Sequence, residues 1–280
     1  MTQGALRDRF LLQHLTTVPD AHRWLLLQTA YTGEARRTAL AALPFAPRSV
    51  IYDLGAGLGA MSLELAETFA AHVVAFDHDP VLLRAARTLA DAIPPQAGTV
   101  EFREADITRL LPDIAPRPNA AVARFVLQHL PYPQQAVQTW SRLVEPGGYL
   151  WLEEVDDGLT VEFPPPPPAW ERLIRAFAAL QARRGGDREA GRKLAHWALL
   201  AGLRLVRVET VPWTAVRRQD RDDPALGFER RRIGDEAAAM VAAGLVTKEE
   251  VRQGLAALDA ALPRTAFVTA ATVRVLAQKP

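Results

Sequence analysis

The sequence has no cysteine among its 280 residues. This absence excludes disulfide bonds, thiolate metal sites and a cysteine nucleophile, and it is compatible with a reducing compartment. No apolar run reaches the roughly 18 residues that would predict a membrane span. The charged N-terminus, MTQGALRDRF, lacks the apolar core of a signal peptide. The sequence therefore predicts a soluble, cytoplasmic protein without a membrane partner.

A strong net charge is missing as well. The chain has 33 basic and 32 acidic residues and a net charge of +1, so no overall field attracts it to nucleic acid. Lysine is almost absent, with Lys193, Lys248 and Lys279 as its only examples. Hydrophobic residues make up 49% of the chain, which is enough for a large folded core.

Apolar spacing divides the chain into segments. Residues 1–45 carry apolar side chains three and four positions apart, which predicts an N-terminal helical cap. In residues 46–157 short apolar stretches alternate with helical patterns, which predicts an α/β core with a mostly parallel sheet and helices on both faces. The remainder is predicted to form helical lid insertions at 158–192 and 214–262, and the last helix and strands of the core at 193–213 and 263–280.

A glycine-rich turn follows the first predicted strand, in SVIYDLGAGLGAMSLEL. Gly55, Gly57 and Gly59 allow a ligand to approach the backbone amides and the positive end of the next helix. The same spacing also satisfies the pattern of dinucleotide-binding proteins. The turn alone therefore leaves open a nicotinamide cofactor, another nucleoside or a purely structural role.

Three aspartates lie at the ends of the first three predicted strands. A carboxylate at Asp53 suits an amine and would repel a pyrophosphate. Asp77 can hold both hydroxyls of a ribose, a role that would also fit NAD. Asp106 can accept a hydrogen bond from an exocyclic amino group. An amine, a ribose diol and an adenine amino group together describe S-adenosylmethionine.

These motifs resemble those of the class I S-adenosylmethionine-dependent methyltransferases, especially the small-molecule enzymes of bacterial secondary and quinone metabolism. VIYDLGAGLG is similar to the family's glycine loop, VVAFDHDPVLLRAAR to its second strand, and EADI to its adenine-side motif. ARFVLQHLPYPQQAVQTWSRLVEPGGYLWLEE is similar to its fourth and fifth strands with the helix between them. The resemblance implies a Rossmann-like seven-stranded sheet with an antiparallel last strand.

The resemblance also implies the cofactor, S-adenosylmethionine, its product S-adenosylhomocysteine, and the residues that bind them. These are Asp53, Gly55, Ala56, Gly57, Asp77, His78, Asp106, Ile107, Arg124, Phe125 and, in an N-terminal helix similar to one that closes over the cofactor, Gln28. One departure is Asn119-Ala120, where many relatives begin the fourth strand with aspartate. We expect little effect, because that position usually lies away from the ligand.

Methyl transfer to a hydroxyl or ammonium group also requires a base. His129, just beyond the fourth strand, titrates near neutrality and is the candidate, although a histidine here also commonly packs without touching substrate. Glu154 and Asp156 follow the fifth strand and are candidates for substrate contact. Alternation predicts that either Glu153 or Glu154 points to solvent.

Aromatic residues are frequent after the fifth strand. Trp170 and Trp213 are candidate substrate contacts, and they favour a largely apolar acceptor in a closed pocket. Arginine runs at 183–184, 217–221 and 229–232 are typical of solvated helix faces, or they bind a phosphate or carboxylate. Residues 77–79, DHD, do not predict a metal site, because consecutive residues at a strand end point apart.

Several functions follow from these patterns. The first is a methyltransferase acting by in-line displacement on O, N or C of a small molecule, as a monomer or homodimer. The second acts on an anionic substrate or RNA through the arginine-rich lid. A nicotinamide-dependent oxidoreductase is a third, but the sequence has no Tyr-x-x-x-Lys pair. A non-catalytic relative that retains the cofactor is the fourth.

Overall fold

The computed structural model describes residues 2–14, 20–109 and 117–280. Its strands are β1 (Val50–Leu54), β2 (His72–Asp77), β3 (Thr99–Glu104), β4 (Ala120–Arg124), β5 (Tyr149–Val155), β6 (Val161–Phe163), β7 (Arg204–Gln219) and β8 (Arg264–Gln278). Within these residues they form one eight-stranded sheet in which β3, β2, β1, β4 and β5 are neighbours in that order and parallel. β8 runs antiparallel to β5, β6 and β7. The predicted α/β class with an antiparallel last strand is confirmed, and β6 adds a strand to the predicted seven.

Helices cover both faces of the parallel strands, and β1, β2, β4 and β5 are buried almost throughout, as expected for a sheet between two helical layers. The edge strand β3 has no fully buried residue. These helices are α4 (Ala60–Phe69), α5 (Pro80–Ala92), α6 (Pro133–Leu143) and α8 (Leu194–Leu200). α5 begins at a strong start signal, because Asp79 accepts the N–H of Val81 at 2.7 Å and Pro80 occupies the first helical position. On one face Trp140 is fully buried and donates its indole N–H to the carbonyl of Ile107 at 2.8 Å.

The long strands β7 and β8 extend the sheet beyond the core. They pair along their full lengths, from Arg204 opposite Gln278 to Gln219 opposite Arg264. Residues 214–219, which the sequence placed in the helical lid, therefore continue β7, and residues 161–163 form β6. The reason is long-range pairing with β8, which the local pattern of these polar and proline-rich segments does not reveal.

Three helices form a cluster with its own apolar core, and they are called the lid helices below. They are α7 (Pro168–Arg183), α9 (Pro224–Ala242) and α10 (Lys248–Ala261). Leu173, Ile233, Met240 and Leu258 are buried between them. α9 begins where Asp223 accepts backbone N–H groups of the first turn, and α10 begins with a capping box.

The N-terminal helices are α1 (Gln3–Gln13), α2 (Asp20–Tyr31) and α3 (Gly33–Ala41). Charge pairs attach α1 and α3 to α4, the shortest joining Arg36 Nε to Glu64 Oε2 at 2.6 Å. α2 also contacts the lid helices, because the rings of Trp24 and Phe228 lie 6.2 Å apart. The segment that the sequence predicted to cap the core thus bridges the core and the lid helices.

Candidate active site

The turn between β1 and α4 has a backbone conformation that favours glycine. Gly55, Gly57 and Gly59 have φ angles of +84°, +55° and +73°. The N–H of Gly55 donates to the carbonyl of Phe76 at 2.8 Å, which joins the turn to β2. A Cβ at Gly55 would lie 2.5 Å from Cγ2 of Val126. Glycine is therefore required there by both backbone conformation and space.

Asp53 is fully buried beneath this turn. Its Oδ2 accepts the hydroxyl hydrogen of Ser62 at 2.6 Å, whereas Oδ1 is buried without a hydrogen-bond partner among the described residues. Burial, with a smaller contribution from the charge of Asp77, raises the pKa of Asp53 to about 7. A buried acceptor without a donor is unusual in a folded protein, so this oxygen fits a ligand that brings an N–H group.

Asp77 is fixed at the end of β2 by two backbone donors. Its Oδ2 accepts the N–H of Gly57 at 2.8 Å and its Oδ1 accepts the N–H of Asp79 at 3.0 Å. Each oxygen keeps a second lone pair for a ligand. The neighbouring His78 side chain is 84% exposed and can contact only the outer part of a ligand bound here.

Asp106 lines the same cavity. Its Oδ1 accepts the hydroxyl hydrogen and the N–H of Thr108, at 2.6 and 3.0 Å, and these bonds hold the pKa of Asp106 below its usual value. Ile107, next to it, is buried and contributes an apolar wall. The pair thus offers an ionised acceptor beside an apolar surface, which suits the edge and face of a purine.

Arg124 ends β4, Phe125 follows it, and both line the cavity. Arg124 Nε donates to Glu153 Oε2 at 2.8 Å, and Arg274 Nη2 lies 3.1 Å from the other oxygen of Glu153. Burial lowers the pKa of Arg124. Because the two buried guanidinium groups of Arg124 and Arg274 share one carboxylate, one positive charge remains uncompensated beside Glu153.

These residues line one open cavity of about 920 Å³. All eleven residues predicted to contact the cofactor line it: Gln28, Asp53, Gly55, Ala56, Gly57, Asp77, His78, Asp106, Ile107, Arg124 and Phe125. Trp24 and Arg36 also line it and were missed, since an amphipathic pattern does not show which part of a helix faces a cleft. The volume is in the range of small-ligand sites.

His129 lies where this cavity adjoins a second one of about 360 Å³. Trp24 and Gln28 line both cavities as well. The residue is exposed at the cavity surface, and partial desolvation by its neighbours, followed by the charges of Arg188 and Arg232, lowers the pKa of His129 below its usual value. The imidazole is therefore neutral at physiological pH and has an unprotonated nitrogen.

The residues predicted to contact substrate are placed elsewhere. Glu154, Asp156, Trp170 and Trp213 line neither cavity. Trp170 is buried in the apolar core of the lid helices, because its position on α7 faces inward. Trp213 lies on β7, where its ring contacts the edge of Tyr31 at 6.5 Å. Neither tryptophan is in a position to cover an acceptor in these cavities.

The acidic side chains at the end of β5 make hydrogen bonds and ion pairs within the protein. Glu153 and Glu154 are both buried, so the expectation that one of them points to solvent is wrong; β5 is covered on both faces. Glu154 Oε1 accepts the N–H groups of Val126 and Leu127 at 2.7 and 2.6 Å. Asp156 pairs with Arg192, whose Nε lies 2.7 Å from Oδ2. Glu154 thus fixes the loop that presents His129.

Two substitutions of Glu154 separate its charge from its hydrogen bonds. Burial raises its pKa to about 8, so the side chain is mostly protonated at neutral pH and resembles glutamine. Glu154→Gln should change the free energy of unfolding by less than about 1 kcal/mol. Glu154→Leu leaves two buried N–H groups without an acceptor and should cost about 3 kcal/mol. Urea unfolding at pH 7 measures both; equal losses would contradict this role.

The described part of the chain offers no group of three or more His, Asp or Glu side chains arranged to hold a metal ion. In the same part of the chain, no helix is sufficiently long and apolar to cross a bilayer.

Comparison with known sequences supports a methyltransferase domain. Residues 52–152 match the family model described as a methyltransferase domain. The chain is 26% identical over 180 residues to methyltransferase str2 of Strobilurus tenacellus, an alignment that covers 63% of this chain and 62% of that protein. It is 32% identical over 222 residues to an uncharacterized 37.1 kDa protein in transposon TN4556 of Streptomyces fradiae, covering 77% of this chain and 61% of that protein. The chain thus spans less than two thirds of the length of these relatives.

Solved structures share the fold. The YcgJ protein of Bacillus subtilis has a TM-score of 0.57 at 12% identity, covering 88% of this chain and 99% of that one. The [4+2]-cyclase SpnF has a TM-score of 0.53 at 18% identity, covering 90% of this chain and 82% of that one. At such identities the likeness concerns the fold alone. The domain match, the related methyltransferase and the cavity together support a class I S-adenosylmethionine-dependent methyltransferase, with residues 52–152 as its methyltransferase domain.

Proposed function

We propose that this chain transfers a methyl group from S-adenosylmethionine to an O, N or C atom of a small molecule bound in the second cavity. One observation carries the proposal: the carboxylates of Asp53, Asp77 and Asp106 line a single cavity beside a glycine turn. Asp53 would accept the cofactor's amine with its unpartnered oxygen, Asp77 its ribose hydroxyls and Asp106 its adenine amino group. Each of these three acceptors thus corresponds to one hydrogen-bonding group of the cofactor.

The uncompensated positive charge near Arg124 supports the same orientation of the cofactor in the cavity. Arg36 and Arg124 both line the cavity, and Arg124 shares the carboxylate of Glu153 with Arg274. An anionic ligand group at this end would complete the charge balance. The cofactor's amino-acid carboxylate, adjacent to the amine expected at Asp53, provides such a group.

S-adenosylmethionine supplies a methyl group on a sulfonium whose leaving group is neutral, so the protein's contribution is alignment and the exclusion of water. α2 and the lid helices cover the junction of the two cavities, where Trp24, Gln28 and His129 meet. In this proposal the neutral imidazole of His129 accepts a proton from a hydroxyl or ammonium acceptor, through the ring nitrogen that does not face Gln181.

The second cavity supports a small acceptor with an apolar part. Phe177 and Leu180 contribute apolar walls, and Arg188 and Arg232 contribute charges, so both an apolar and an anionic acceptor are consistent with its lining. A nicotinamide oxidoreductase fits less well, because Asp53 lies beside the turn that would receive a pyrophosphate. RNA fits poorly with a cavity of about 360 Å³ and a net charge of +1.

Mass spectrometry tests methyl transfer. The protein is incubated with small-molecule extracts and methyl-labelled S-adenosylmethionine, and products that carry one labelled methyl group are sought. Their appearance, and their loss in a control without protein, is the expected result. S-adenosylhomocysteine binding without any labelled product would favour a role other than methylation; the fold neighbour named a [4+2]-cyclase illustrates that this fold is used for other reactions.

The buried carboxyl of Asp53 predicts a pH-dependent affinity for the cofactor product. Its pKa of about 7 in the empty cavity must fall when a cationic amine binds, so binding releases a proton below that pH. We expect the affinity for S-adenosylhomocysteine to rise between about pH 5.5 and 7.5, by up to about tenfold per pH unit. Calorimetry measures it. In Asp53→Asn the affinity should be weak and nearly constant; an unchanged slope in this variant would contradict the assignment.

A further inference from the structure

Three arginines line the second cavity, and two of them are neutralised by carboxylates. Arg184 makes two hydrogen bonds with Glu236, at 2.8 and 2.9 Å. Arg188 makes two with Asp157, at 2.8 and 2.7 Å. Arg232, on α9, has no carboxylate within 4.0 Å in the described part of the chain. It is therefore the cavity's uncompensated cation.

Aromatic rings hold the guanidinium group of Arg232 in place. Its Cζ lies 4.6 Å from the ring centroid of Phe177 and 5.0 Å from that of Phe228. Such contacts occupy the flat faces of the group, whereas its N–H donors point outward in its plane. The Nε atom is buried and has no acceptor among the described residues. One N–H donor of Arg232, at Nε, is thus unsatisfied, which is costly unless a ligand supplies an acceptor.

The surrounding charges leave this cation without a counter-ion. Glu229, one turn earlier on α9, and Asp157 attract it from beyond ion-pairing distance, and Asp235 lies exposed at the edge of the cavity. Burial, together with the charge of Arg188, lowers the pKa of Arg232 to about 10, so the group stays charged at neutral pH. A bound anion would offset the repulsion between the positive charges of Arg232 and Arg188.

We propose that Arg232 binds an anionic group of the methyl acceptor, a carboxylate or a phosphate. The inference rests on the proposed function, because it takes the second cavity as the acceptor site. The acceptor is then a small organic anion whose charged end lies at Arg232 and whose nucleophilic end lies near His129, at the opening to the first cavity. A volume of about 360 Å³ limits it to roughly one or two rings.

Matched probes isolate the anionic group. Benzoate, its neutral methyl ester and phenyl phosphate are titrated calorimetrically into protein saturated with S-adenosylhomocysteine and into protein without it. Benzoate or phenyl phosphate should bind at least about tenfold more tightly than methyl benzoate, as a charge-assisted hydrogen bond predicts. The tighter of the two anions identifies the preferred acceptor group.

Variants on α9 test whether the preference for the anions over the neutral ester depends on one residue. Arg232→Met should reduce it to less than about threefold, and Arg232→Lys should retain part of it. Arg230→Met is the matched control, because Arg230 lies on the same helix, pairs with Asp259 at 2.8 Å and lines neither cavity. This control should keep the full preference.

The outcomes separate the two proposals. If the original protein binds the anions and the ester equally, or binds none of them, the anion site is overturned. A preference for the anions that survives Arg232→Met would overturn it as well. An anion preference in a protein that fails to bind S-adenosylhomocysteine would keep the anion site and contradict the proposed function. Urea unfolding of each variant excludes misfolding, and the comparison of probes in the original protein does not depend on any variant.

Discussion

Asp77→Ala should weaken binding of S-adenosylhomocysteine by about 100-fold or more. The substitution removes two carboxylate oxygens whose free lone pairs face the cavity, and each charge-assisted hydrogen bond to a ribose hydroxyl contributes about 1.5–3 kcal/mol. It also frees the N–H groups of Gly57 and Asp79, which these oxygens hold at 2.8 and 3.0 Å. The glycine turn would lose part of its preorganisation as well.

Calorimetric titration measures this loss, and Asp77→Asn is the matched variant. Asparagine keeps the size and one acceptor oxygen, so its affinity should fall by about tenfold only. Urea unfolding accompanies the titration, because the lost backbone contacts also lower stability. A folded Asp77→Ala variant that binds with nearly unchanged affinity would show that this carboxylate does not hold the ribose.

Gly55→Ala should be among the most destabilising single substitutions near the site. Its φ of +84° costs an L-residue about 1–2 kcal/mol. The new Cβ would also lie 2.5 Å from Cγ2 of Val126, and overpacking of this kind costs about 1–3 kcal/mol. Because the N–H of Val126 is bound to Glu154, its displacement would move the loop that presents His129. We expect a total of about 3 kcal/mol and loss of S-adenosylhomocysteine binding.

Gly202→Ala provides the control for backbone strain alone. Gly202 has a φ of +77°, and apart from Gly202 and its two chain neighbours no atom of the described residues lies within 4 Å of the position that the alanine methyl group would take. The variant should therefore lose about 1–2 kcal/mol of stability and keep its affinity. Equal destabilisation of the two variants, or normal binding by Gly55→Ala, would contradict the close approach at Val126.

Local patterns predicted the sheet and the first cavity well, for a physical reason. In a parallel sheet the carboxyl ends of adjacent strands lie on one edge, so residues that follow separate strands are brought together by topology. Asp53, Asp77 and Asp106 lie far apart in sequence and line one cavity for this reason. The alternation of short strands and helices was enough to place them.

The second cavity could not be predicted in the same way. Phe177 and Arg232 belong to different lid helices, and their contact depends on how those helices pack. The sequence identified the arginine runs but could not distinguish Arg232 from Arg230, which pairs with Asp259. The expectation that buried and exposed side chains alternate along a strand was also wrong for β5. Glu153 and Glu154 are both buried there because the strand is covered on both faces.

A single calorimetric comparison tests the central claim, that the glycine turn and its three carboxylates form a site for an adenosyl amino acid. The protein is titrated with S-adenosylhomocysteine and, separately, with NAD under the same conditions. We predict one site per chain for S-adenosylhomocysteine and no measurable heat with NAD. Binding of NAD without any binding of S-adenosylhomocysteine would contradict the account.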